Sequence, residues 1–499
     1  MKLSRLLAVF CVFIGYGAPA EAAFDSSEYR QNTYGPPTHY CDPTRPLNSA
    51  GAGTLANPWN LNQAMTLAVA GNVVGFFAGV GVRLPSSDNN RFPTFRPTNS
   101  GTAANRIVFV TRFAAVALAN VATNPNRTQL RHDGTPAVAN GSNDDLGTAS
   151  PMYGVYQTDY VTFDGFFVDM AEAEPTGDGG VIRVENARGV HFRNFEIKGT
   201  TTNMGTNPII YRPQNAIGTV LSNFRVYDFH NDTTNSSTPQ RGLFSDQYGD
   251  QGFLIEHFEI RNTQTGIFLK GTAGGAFNYG TIRYGIVSQV AECFRFNDLD
   301  SNNLTTLEYS VCHDIPEYAG TGFTLSSETT NARNFLAHHV TVARMRSASV
   351  INGGIYARNG ITSNVTIRDS IIDLDNGPNG HAIAFGETSA LPQVLNFNGY
   401  TKNGAVVTFA YNGLEYNTLA AWRAATGRDA NSQVFSTGSP FVDRANGNFR
   451  IAPGHPAMTA SSTGGQIGAY AGSLSPGVDL GNTTAPAAPA APARLRVAP

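Results

Sequence analysis

Apolar and polar residues alternate through the middle of the chain in a short pattern that recurs between Phe163 and Ile372. Each copy has an apolar residue, two variable positions that are often Asn, His, Tyr or Asp, and then a small apolar cluster. Four clear copies and four looser ones lie 25 to 34 residues apart, starting at Phe163, Phe192, Leu221, Ile255, Ile282, Leu307, Leu336 and Ile367. Such a period is typical of a solenoid, in which each repeat buries its apolar face against its neighbours.

The alternation within each copy predicts strands, because apolar residues recur at every second position and not at every third or fourth. Clusters of Gly, Asn, Asp, Thr and Ser separate these strands, as in residues 199–203. No helical pattern of 10 to 15 residues lies between them, which a leucine-rich or α/β solenoid requires. The sequence therefore predicts an all-β protein, a parallel β-helix.

Two terminal segments stand apart from the repeats. Residues 1–23 combine Lys2 and Arg5, a short apolar run and small residues at 18–23, which is typical of a secretory signal peptide. Residues 473–499 lose the pattern and end in an Ala/Pro-rich stretch, expected to be disordered. No stretch reaches about 20 apolar residues, so no membrane insertion is expected. We expect an exported, monomeric protein, periplasmic or extracellular, with one β-helix domain over residues 24–472.

Charge and cysteine content narrow the classes of function. The formal net charge is -3 and no Lys/Arg run occurs, which argues against a nucleic-acid partner. No Cys/His set has zinc spacing. In an oxidising compartment Cys293 and Cys312 could pair across adjacent coils, or they could remain two buried thiols.

Both ends of the repeat region carry segments that resemble secreted right-handed parallel β-helix proteins of the pectate-lyase-like superfamily. The first runs Gly-Thr-Leu-Ala-Asn-Pro-Trp-Asn-Leu-Asn-Gln-Ala-Met from residue 53 and leads into the strand and glycine turn at 71–79. The second runs Leu-Ala-Ala-Trp-Arg-Ala-Ala-Thr-Gly from residue 419 and continues through 440–457 to 467–470. The resemblance implies a right-handed helix with a short amino-terminal capping helix and a carboxy-terminal closing region.

This superfamily includes polysaccharide lyases, glycoside hydrolases, epimerases, esterases and binding proteins without catalysis, so the fold leaves function open. The chain lacks the Gly-His-Gly and Asn-Thr-Asp motifs of polygalacturonases, the Asp-Pro-His-Asp motif of alginate epimerases and the Arg-x-Pro-x-x-Arg motif of the main pectate lyases. Lyases of other families and non-enzymes remain.

Aligned repeats predict which side chains share the outer face of the helix, because equivalent positions of successive coils lie ~4.8 Å apart. We align the inward residues Ile182, Ile209, Leu243, Ile267, Phe294 and Phe323. The position after each of them gives one outward row: Arg183, Ile210, Phe244, Phe268, Arg295 and Thr324. The third position beyond each gives another: Glu185, Arg212, Asp246, Lys270, Asn297 and Ser326.

These rows mix cations, carboxylates and phenylalanines in a way that suits an acidic polysaccharide. β-Elimination must neutralise a uronate carboxylate and remove the neighbouring proton, which arginine or Ca²⁺ and a base can do. Lys270 is the predicted base, because flanking positive charge and partial burial favour its neutral form. Arg295 and Arg212 are the predicted catalytic arginines. The predicted substrate contacts are Arg183, Phe244, Phe268, Asn297 and His230, the last from the long loop 228–241. Glu185, Asp246 and Asp298 are the predicted Ca²⁺ ligands.

Three alternatives stay open at this point. The alternating charges also fit a solvated wall with weak surface ion pairs. A non-catalytic glycan-binding or adhesive protein would use the same face. Hydrolysis would need two carboxyl groups at a suitable distance, and Asp246 and Asp298 lie two coils apart in the alignment.

Overall fold

The structure is a computed structural model. It describes residues 34–43, 45–46, 48–77, 81–84, 95–111, 128–132, 153–169, 182–198, 209–211, 216–229, 241–245, 250–270, 279–297, 299, 303–315, 320–326, 334–346, 353–358, 364–375, 380–386, 391–436, 438–472 and 474–478. The predicted signal peptide and the Ala/Pro-rich stretch lie outside these residues. No helix among the described residues is long and apolar enough to cross a membrane.

Short strands make up most of the described chain. The amino-terminal part contains β1 (His39–Cys41), α1 (Leu61–Leu67), β2 (Val73–Phe76), β3 (Gly81–Leu84), β4 (Ile107–Thr111) and β5 (Thr128–His132). The repeated coils contain β6 (Tyr153–Tyr156), β7 (Val161–Asp164), β8 (Phe166–Asp169), β9 (Ile182–Glu185), β10 (His191–Lys198), β11 (Ile209–Tyr211), β12 (Ala216–Ile217), β13 (Val220–Tyr227), β14 (Arg241–Ser245), β15 (Asp250–Arg261), β16 (Thr265–Lys270), β17 (Tyr279–Ser288), β18 (Glu292–Asn297), β19 (Thr305–Glu308), β20 (Val311–Ile315), β21 (Thr321–Ser326), β22 (Phe335–His338), β23 (Thr341–Met345), β24 (Gly353–Arg358), β25 (Val365–Arg368), β26 (Ile371–Leu374), β27 (His381–Phe385), β28 (Val394–Asn396), β29 (Gly399–Lys402), β30 (Phe409–Tyr411) and β31 (Leu414–Tyr416). The chain then forms α2 (Leu419–Thr426), β32 (Gln433–Val434), β33 (Phe441–Asp443) and β34 (Asn448–Ile451).

The coils stack their strands into three parallel ladders, which confirms the predicted parallel β-helix. The first sheet has 11 strands, which run parallel from β6 through β16, β18, β21 and β24 to β30, and β31 is added antiparallel to β30. The other two ladders belong to one 21-stranded sheet, because β10, β13, β15 and β17 each run through both. The second ladder continues through β19, β22, β25 and β28, and the third through β20, β23, β26 and β29.

In seven of the eight repeat copies a single left-handed residue other than glycine turns the chain between the second and third ladders, and Gly165 does so in the first copy. The seven non-glycine residues have φ between 46° and 57°, where Asn and Asp are enriched, and they are Asn194, Asn223, His257, Tyr284, Tyr309, His339 and Asp369. They occupy the second of the two variable positions in the sequence repeat. The copy predicted at Leu336 starts one residue later, because Ala337 pairs with Leu307 and Ile367. Leu336 therefore lies on the outer face.

The inward residues form one continuous apolar core along the helix. Phenylalanines of successive coils stack on one another, as in Phe195 on Phe224, whose ring centroids are 4.8 Å apart. Cys293 and Cys312 form a disulfide, with 5.9 Å between their Cα atoms. The bond joins β18 and β20 across the interior of a single coil, so it decides between the two alternatives that the sequence left open, and it does not link adjacent coils.

Each end of the core is closed by a helix that carries or follows a buried tryptophan. At the amino-terminal end Asn60 and Gln63 form a reciprocal capping box on α1, directly after buried Trp59. At the other end Trp422 of α2 is fully buried, with its ring stacked on Phe409. These two helices match the predicted capping roles.

After α2 the chain turns back along the outside of the helix. Residues 435–478, named here the return segment, cover the outer face of the third ladder. Phe441, Phe449 and Ile451 of its hairpin form a second apolar cluster with Val311 and Ile371, which point out of the coils. The Gly477 N–H donates to the Tyr284 carbonyl at 2.8 Å. The predicted closing region therefore protects a side of the solenoid as well as its end.

An ion-pair network fastens the hairpin of the return segment to the coils. Arg444 Nε contacts Asp373 Oδ2 at 2.7 Å, and the Arg444 guanidinium also pairs with Asp375. Arg344 Nη2 contacts Asp314 at 2.6 Å, and its guanidinium lies over the Phe449 ring. Burial raises the pKa of Asp373 to about 6, and Arg444 offsets only part of this effect.

Replacing Asp373 with Asn should change how stability depends on pH. The pKa of Asp373 is about 6 in the folded protein and 3.8 in the unfolded chain, so the folded state holds the carboxyl proton more tightly. The stability that this group contributes is present below pH 3.8 and is lost as pH rises through 6. The free energy of unfolding of the parent minus that of Asp373→Asn should therefore fall by about 3 kcal/mol across this window. Denaturant unfolding at several pH values measures it.

The partly exposed Asp443 provides the control for this experiment. Hydrogen bonds from Asn446 lower the pKa of Asp443, so Asp443→Asn should show no such fall. A parent-minus-variant difference for Asp373→Asn that stays level between pH 3.5 and 7 would contradict the account of this buried carboxyl.

Candidate functional site

The outer face of the first sheet carries the two predicted rows in the predicted register. The inward series Ile267, Phe294 and Phe323 is paired strand to strand. We call the first outward row the arginine row. Its paired members are Phe268, Arg295, Thr324 and Tyr356. The row called here the lysine row contains Lys270, Asn297 and Ser326. Sequence alignment alone thus placed these side chains on one face.

Arg295 is a partly exposed cation in the arginine row. Its side chain is 38% exposed and its guanidinium carbon lies 4.7 Å from the centre of the Phe268 ring. Its two ionic or hydrogen-bond contacts are long, 3.8 Å to Glu292 Oε2 and 3.4 Å to Asn297 Oδ1. The phenylalanine holds the guanidinium in place by a cation–π contact, while most of its N–H groups stay available to a ligand.

Phe268 is only 4% exposed. Its ring supports Arg295 and does not offer an open face to a sugar. The observed contact of Phe268 is with Arg295 of the next coil, and its predicted contact with substrate stays a prediction.

Asn297 lies beneath this arrangement and is 2% exposed. Its Oδ1 accepts hydrogen bonds from Ser326 Oγ of the next coil and from Arg295 Nε. These two hydrogen bonds fix the conformation of the amide, so Asn297 acts as a positioning group for Arg295. Its predicted direct contact with substrate stays a prediction.

Lys270 is half-buried at the end of β16. It pairs in register with Asn297, and Arg295 is two residues before Asn297 on the same strand and face. Lys270 and Arg295 are therefore diagonal neighbours on adjacent strands, with backbone positions about 7–8 Å apart. Side chains of this length can reach the same sugar unit from that spacing.

Several predicted site residues cannot be placed. Arg212, His230, Asp246 and Asp298 lie outside the described residues. Arg183 and Phe244 occupy the predicted register positions in β9 and β14, but their side chains are outside the described part of the chain. Their roles stay predictions.

The predicted calcium site is represented by one described ligand, the half-buried Glu185 in β9. Among the described residues no group of three or more His, Cys, Asp or Glu side chains is arranged to hold a metal ion. The other two predicted ligands, Asp246 and Asp298, lie outside the described residues. Carboxylate ligands are the donors that Ca²⁺ prefers, and the calcium site stays a prediction.

A second charged row, on the outer face of the second ladder, was not considered in the sequence prediction. Arg283 donates two hydrogen bonds to Glu256, at 2.9 and 2.7 Å, and His338 Nε2 contacts Glu308 Oε2 at 2.8 Å. These charged side chains pair with one another on the outer face of the second ladder. The row on the first sheet differs, because its arginine has only long contacts.

Tyr356 was missed because the sequence alignment stopped at Ser326. The signal was present, since Ile355 continues the inward series after Phe323 and Tyr356 follows it. Thr324 was placed in the row without a role.

Comparison with known proteins finds similar solved structures at low sequence identity. No protein-family model and no curated protein sequence matches the chain. Among solved structures it is similar to the pectate lyase Pel9A, with 15% identity and a TM-score of 0.48 over 88% of this chain and 98% of that one. It is also similar to a GH136 lacto-N-biosidase from Eubacterium ramulus, with 11% identity and a TM-score of 0.45 over 80% of this chain and 66% of that one. A third similar structure is an alginate lyase from Paenibacillus sp. str. FPU-7, with 13% identity and a TM-score of 0.34. This match covers 60% of this chain and 98% of that one.

The strand pairing makes the chain a parallel β-helix protein, and no specific family is assigned. At these identities the likeness concerns the fold alone, and no site residue is transferred from these structures.

Proposed function

We propose that the protein is an exported polysaccharide lyase that cleaves an acidic, uronic-acid-containing polysaccharide by β-elimination on the outer face of the first sheet. One observation carries the proposal. Arg295 is held over Phe268 with its side chain 38% exposed and only long ionic and hydrogen-bond contacts, diagonal to the half-buried Lys270. A fixed cation beside an amine is the pair of groups that elimination next to a carboxylate requires.

The reaction follows from these two groups. The Arg295 guanidinium pairs with the uronate carboxylate and stabilises the negative charge that develops there as the neighbouring C–H bond breaks. The side-chain amine of Lys270 takes that proton as the general base. The electron pair of the C–H bond forms the C4–C5 double bond, the glycosidic C4–O bond breaks, and the departing oxygen takes a proton from solvent. The products are one unsaturated sugar end and one new reducing end.

Further parts of the proposal come from the sequence. Residues 1–23 direct export to the periplasm or the extracellular space. Glu185 would supply a carboxylate ligand to Ca²⁺, with Asp246 and Asp298 as the other predicted donors, and bound Ca²⁺ would assist Arg295 in neutralising the carboxylate. Because Ile182 and Phe294, the inward residues of the first and last of these coils, lie four steps of ~4.8 Å apart, Glu185 and Asp298 would bind separate ions. The protein acts as a monomer and its partner is the polysaccharide.

Incubation with a panel of uronic-acid polymers tests the proposal. We expect ultraviolet absorbance from an unsaturated product to rise together with reducing ends. Arg295→Gln should lower kcat/KM about 100-fold, because it removes the charge opposed to the carboxylate. Arg346→Gln, at an exposed arginine near the return segment, is the matched control and should leave the rate unchanged.

The same assay separates the alternatives. Reducing ends without the absorbance would replace elimination with hydrolysis. Binding of a polymer with no product would identify a non-catalytic glycan-binding protein. Either result sinks the lyase proposal.

A further inference from the structure

One arginine in the charged row of the second ladder has no partner for its charge. The row runs coil by coil through Asp164, Arg193, Ser222, Glu256, Arg283, Glu308, His338 and Arg368. From Glu256 onward its charged side chains all pair with a neighbour: Arg283 with Glu256, His338 with Glu308 and Arg368 with Asp369. Arg193 makes no ion pair and no side-chain hydrogen bond within the described part of the chain.

Arg193 is nevertheless partly withdrawn from water. The residue is half-buried, and its Nε is buried without a hydrogen-bond partner. Its two terminal nitrogens are not among the buried atoms, so a ligand can reach them. A cation held partly out of water without a counter-charge is costly, and an anion on the terminal nitrogens would offset that cost.

A second guanidinium lies beside Arg193. Arg106 Nε donates to Thr162 Oγ1 at 2.8 Å, and Thr162 pairs across the strands with His191, two residues before Arg193 on the same face. Burial and the charge of Arg193 lower the pKa of Arg106 to about 10, so Arg106 keeps its charge at pH 7. Burial and both guanidinium groups lower the pKa of His191 well below its ordinary value, so its imidazole is neutral.

The carboxylate next to Arg193 is engaged elsewhere. Asp164 accepts hydrogen bonds from Tyr34 Oη at 2.9 Å and from Asn194 Nδ2 at 2.8 Å, and Arg193 makes no ion pair with it. Two cations and one carboxylate leave one positive charge in excess. A single further carboxylate would balance it, and a guanidinium fork suits the two oxygens of that group.

The opposite neighbour of Arg193 offers a hydroxyl. Ser222 lies directly across from Arg193 on the next strand, about 4.8 Å away. Its Oγ makes no hydrogen bond with a described residue and is not among the fully buried atoms. A uronate sugar carries ring hydroxyls at about this distance from its carboxylate. We name the four side chains Arg106, His191, Arg193 and Ser222 the Arg193 patch.

We propose that the Arg193 patch is a second binding site for a uronate sugar unit, on the outer face of the second ladder and separate from the reaction centre on the first sheet. The terminal nitrogens of Arg193 pair with the sugar carboxylate, and Arg106 adds positive charge. Ser222 and the neutral His191 bond to sugar hydroxyls. The choice of a uronate rests on the proposed function. The site would hold the acidic polymer on a face where no bond is cleaved.

Calorimetry on the Arg295→Gln protein tests this site, because that protein lacks the cation of the first-sheet centre. Galacturonate, glucuronate and mannuronate are the probes, and at least one should bind. Its neutral parent sugar should bind about tenfold more weakly and acetate about fivefold more weakly, because one lacks the carboxylate and the other the hydroxyls.

Substitutions at position 193 identify the binding group. In the same protein Arg193→Gln should weaken uronate binding about tenfold, the value of one hydrogen bond to a charged group. Arg193→Lys should weaken it about threefold, because it keeps the charge and loses the fork. Arg346→Gln removes the same charge from an exposed arginine five coil steps away, beyond the range of unscreened attraction, and should change nothing.

The stability of the ligand-free protein distinguishes a binding role from a structural one. Arg193→Gln removes a half-buried charge that has no partner, so the free energy of unfolding should stay the same or rise. A guanidinium that holds the coils together predicts the opposite. Denaturant unfolding of Arg193→Gln beside Arg346→Gln measures this.

The second site is overturned if no uronate binds the Arg295→Gln protein, or if a neutral sugar or acetate binds as tightly as the uronate. It is also overturned if Arg193→Gln keeps the affinity or loses stability. These results are separate from the lyase assay. Unsaturated product without uronate binding at Arg193 would sink the second site alone. Uronate binding that Arg193→Gln removes, without product from any polymer, would sink the lyase alone.

Discussion

Lys270→Ala should lower kcat about 1,000-fold with little change in KM. The proposed base acts only as the proton leaves carbon, so its loss raises the barrier of the chemical step and leaves the contacts of Arg295 with the bound carboxylate intact. Initial rates of unsaturated product at several substrate concentrations give both constants. The size of the effect follows the range observed when a positioned general base is removed.

Two further variants make this result specific. Lys270→Arg keeps the positive charge and a similar length, but a guanidinium does not lose its proton, so activity should stay as low as in Lys270→Ala. Lys402→Ala is the matched control at a half-buried lysine on the third ladder, and it should retain the parental rate. Full activity in Lys270→Arg would show that position 270 supplies charge and that the base lies elsewhere.

The sequence predicted the coils and their register because the period-two alternation and the repeat spacing are both local signals. Ile267, Phe294 and Phe323 pair as aligned. The Leu336 copy was misplaced by one residue, because leucine looks more like a core residue than Ala337 does. Only the pairing with Leu307 shows that the smaller side chain faces inward.

The return segment was not predicted, although the third ladder carries a readable signal. Along one outward row the residues change from Glu196, Arg225 and Glu259 to Ile286 and Val311. Charged residues on an outward row mark a face in water, and apolar ones mark a covered face. The covering chain itself lies more than 100 residues away in sequence, and no local pattern links the two.

The candidate site was predicted as a set of positions but not as a set of contacts. Alignment placed Phe268, Arg295 and Asn297 on one face, and the structure shows two of them buried beneath the third. Burial on an outer face depends on rotamers and on neighbours in the next coil, which a periodic pattern does not specify. For the same reason the lack of a described ion-pair partner for Arg193 was visible only in the structure.

Trp422→Ala should lower the free energy of unfolding by about 4 kcal/mol and should open the helix from its carboxy-terminal end. The indole is fully buried against Phe409, and its Nε1 donates to Asp429 Oδ2 at 2.8 Å. Truncation leaves a cavity and a buried carboxylate oxygen without its donor. Denaturant unfolding measures the loss, and hydrogen exchange should show β27 and β30 losing protection before β16 and β18 do, because solenoid coils depend on their nearest neighbours.

Trp422→Phe separates the two contributions, because it keeps much of the packing and removes only the donor to Asp429. Its expected cost is about 2 kcal/mol, the penalty for an unsatisfied buried acceptor. The Asp429 carboxyl also accepts from Tyr400 Oη at 2.8 Å, so the remaining network limits that cost. Leu414→Ala, at a residue that is 61% exposed beside the same helix, should change stability by less than about 0.5 kcal/mol. Equal losses in Trp422→Ala and Leu414→Ala, or uniform hydrogen exchange along the coils, would mean that α2 does not hold the end of the solenoid closed.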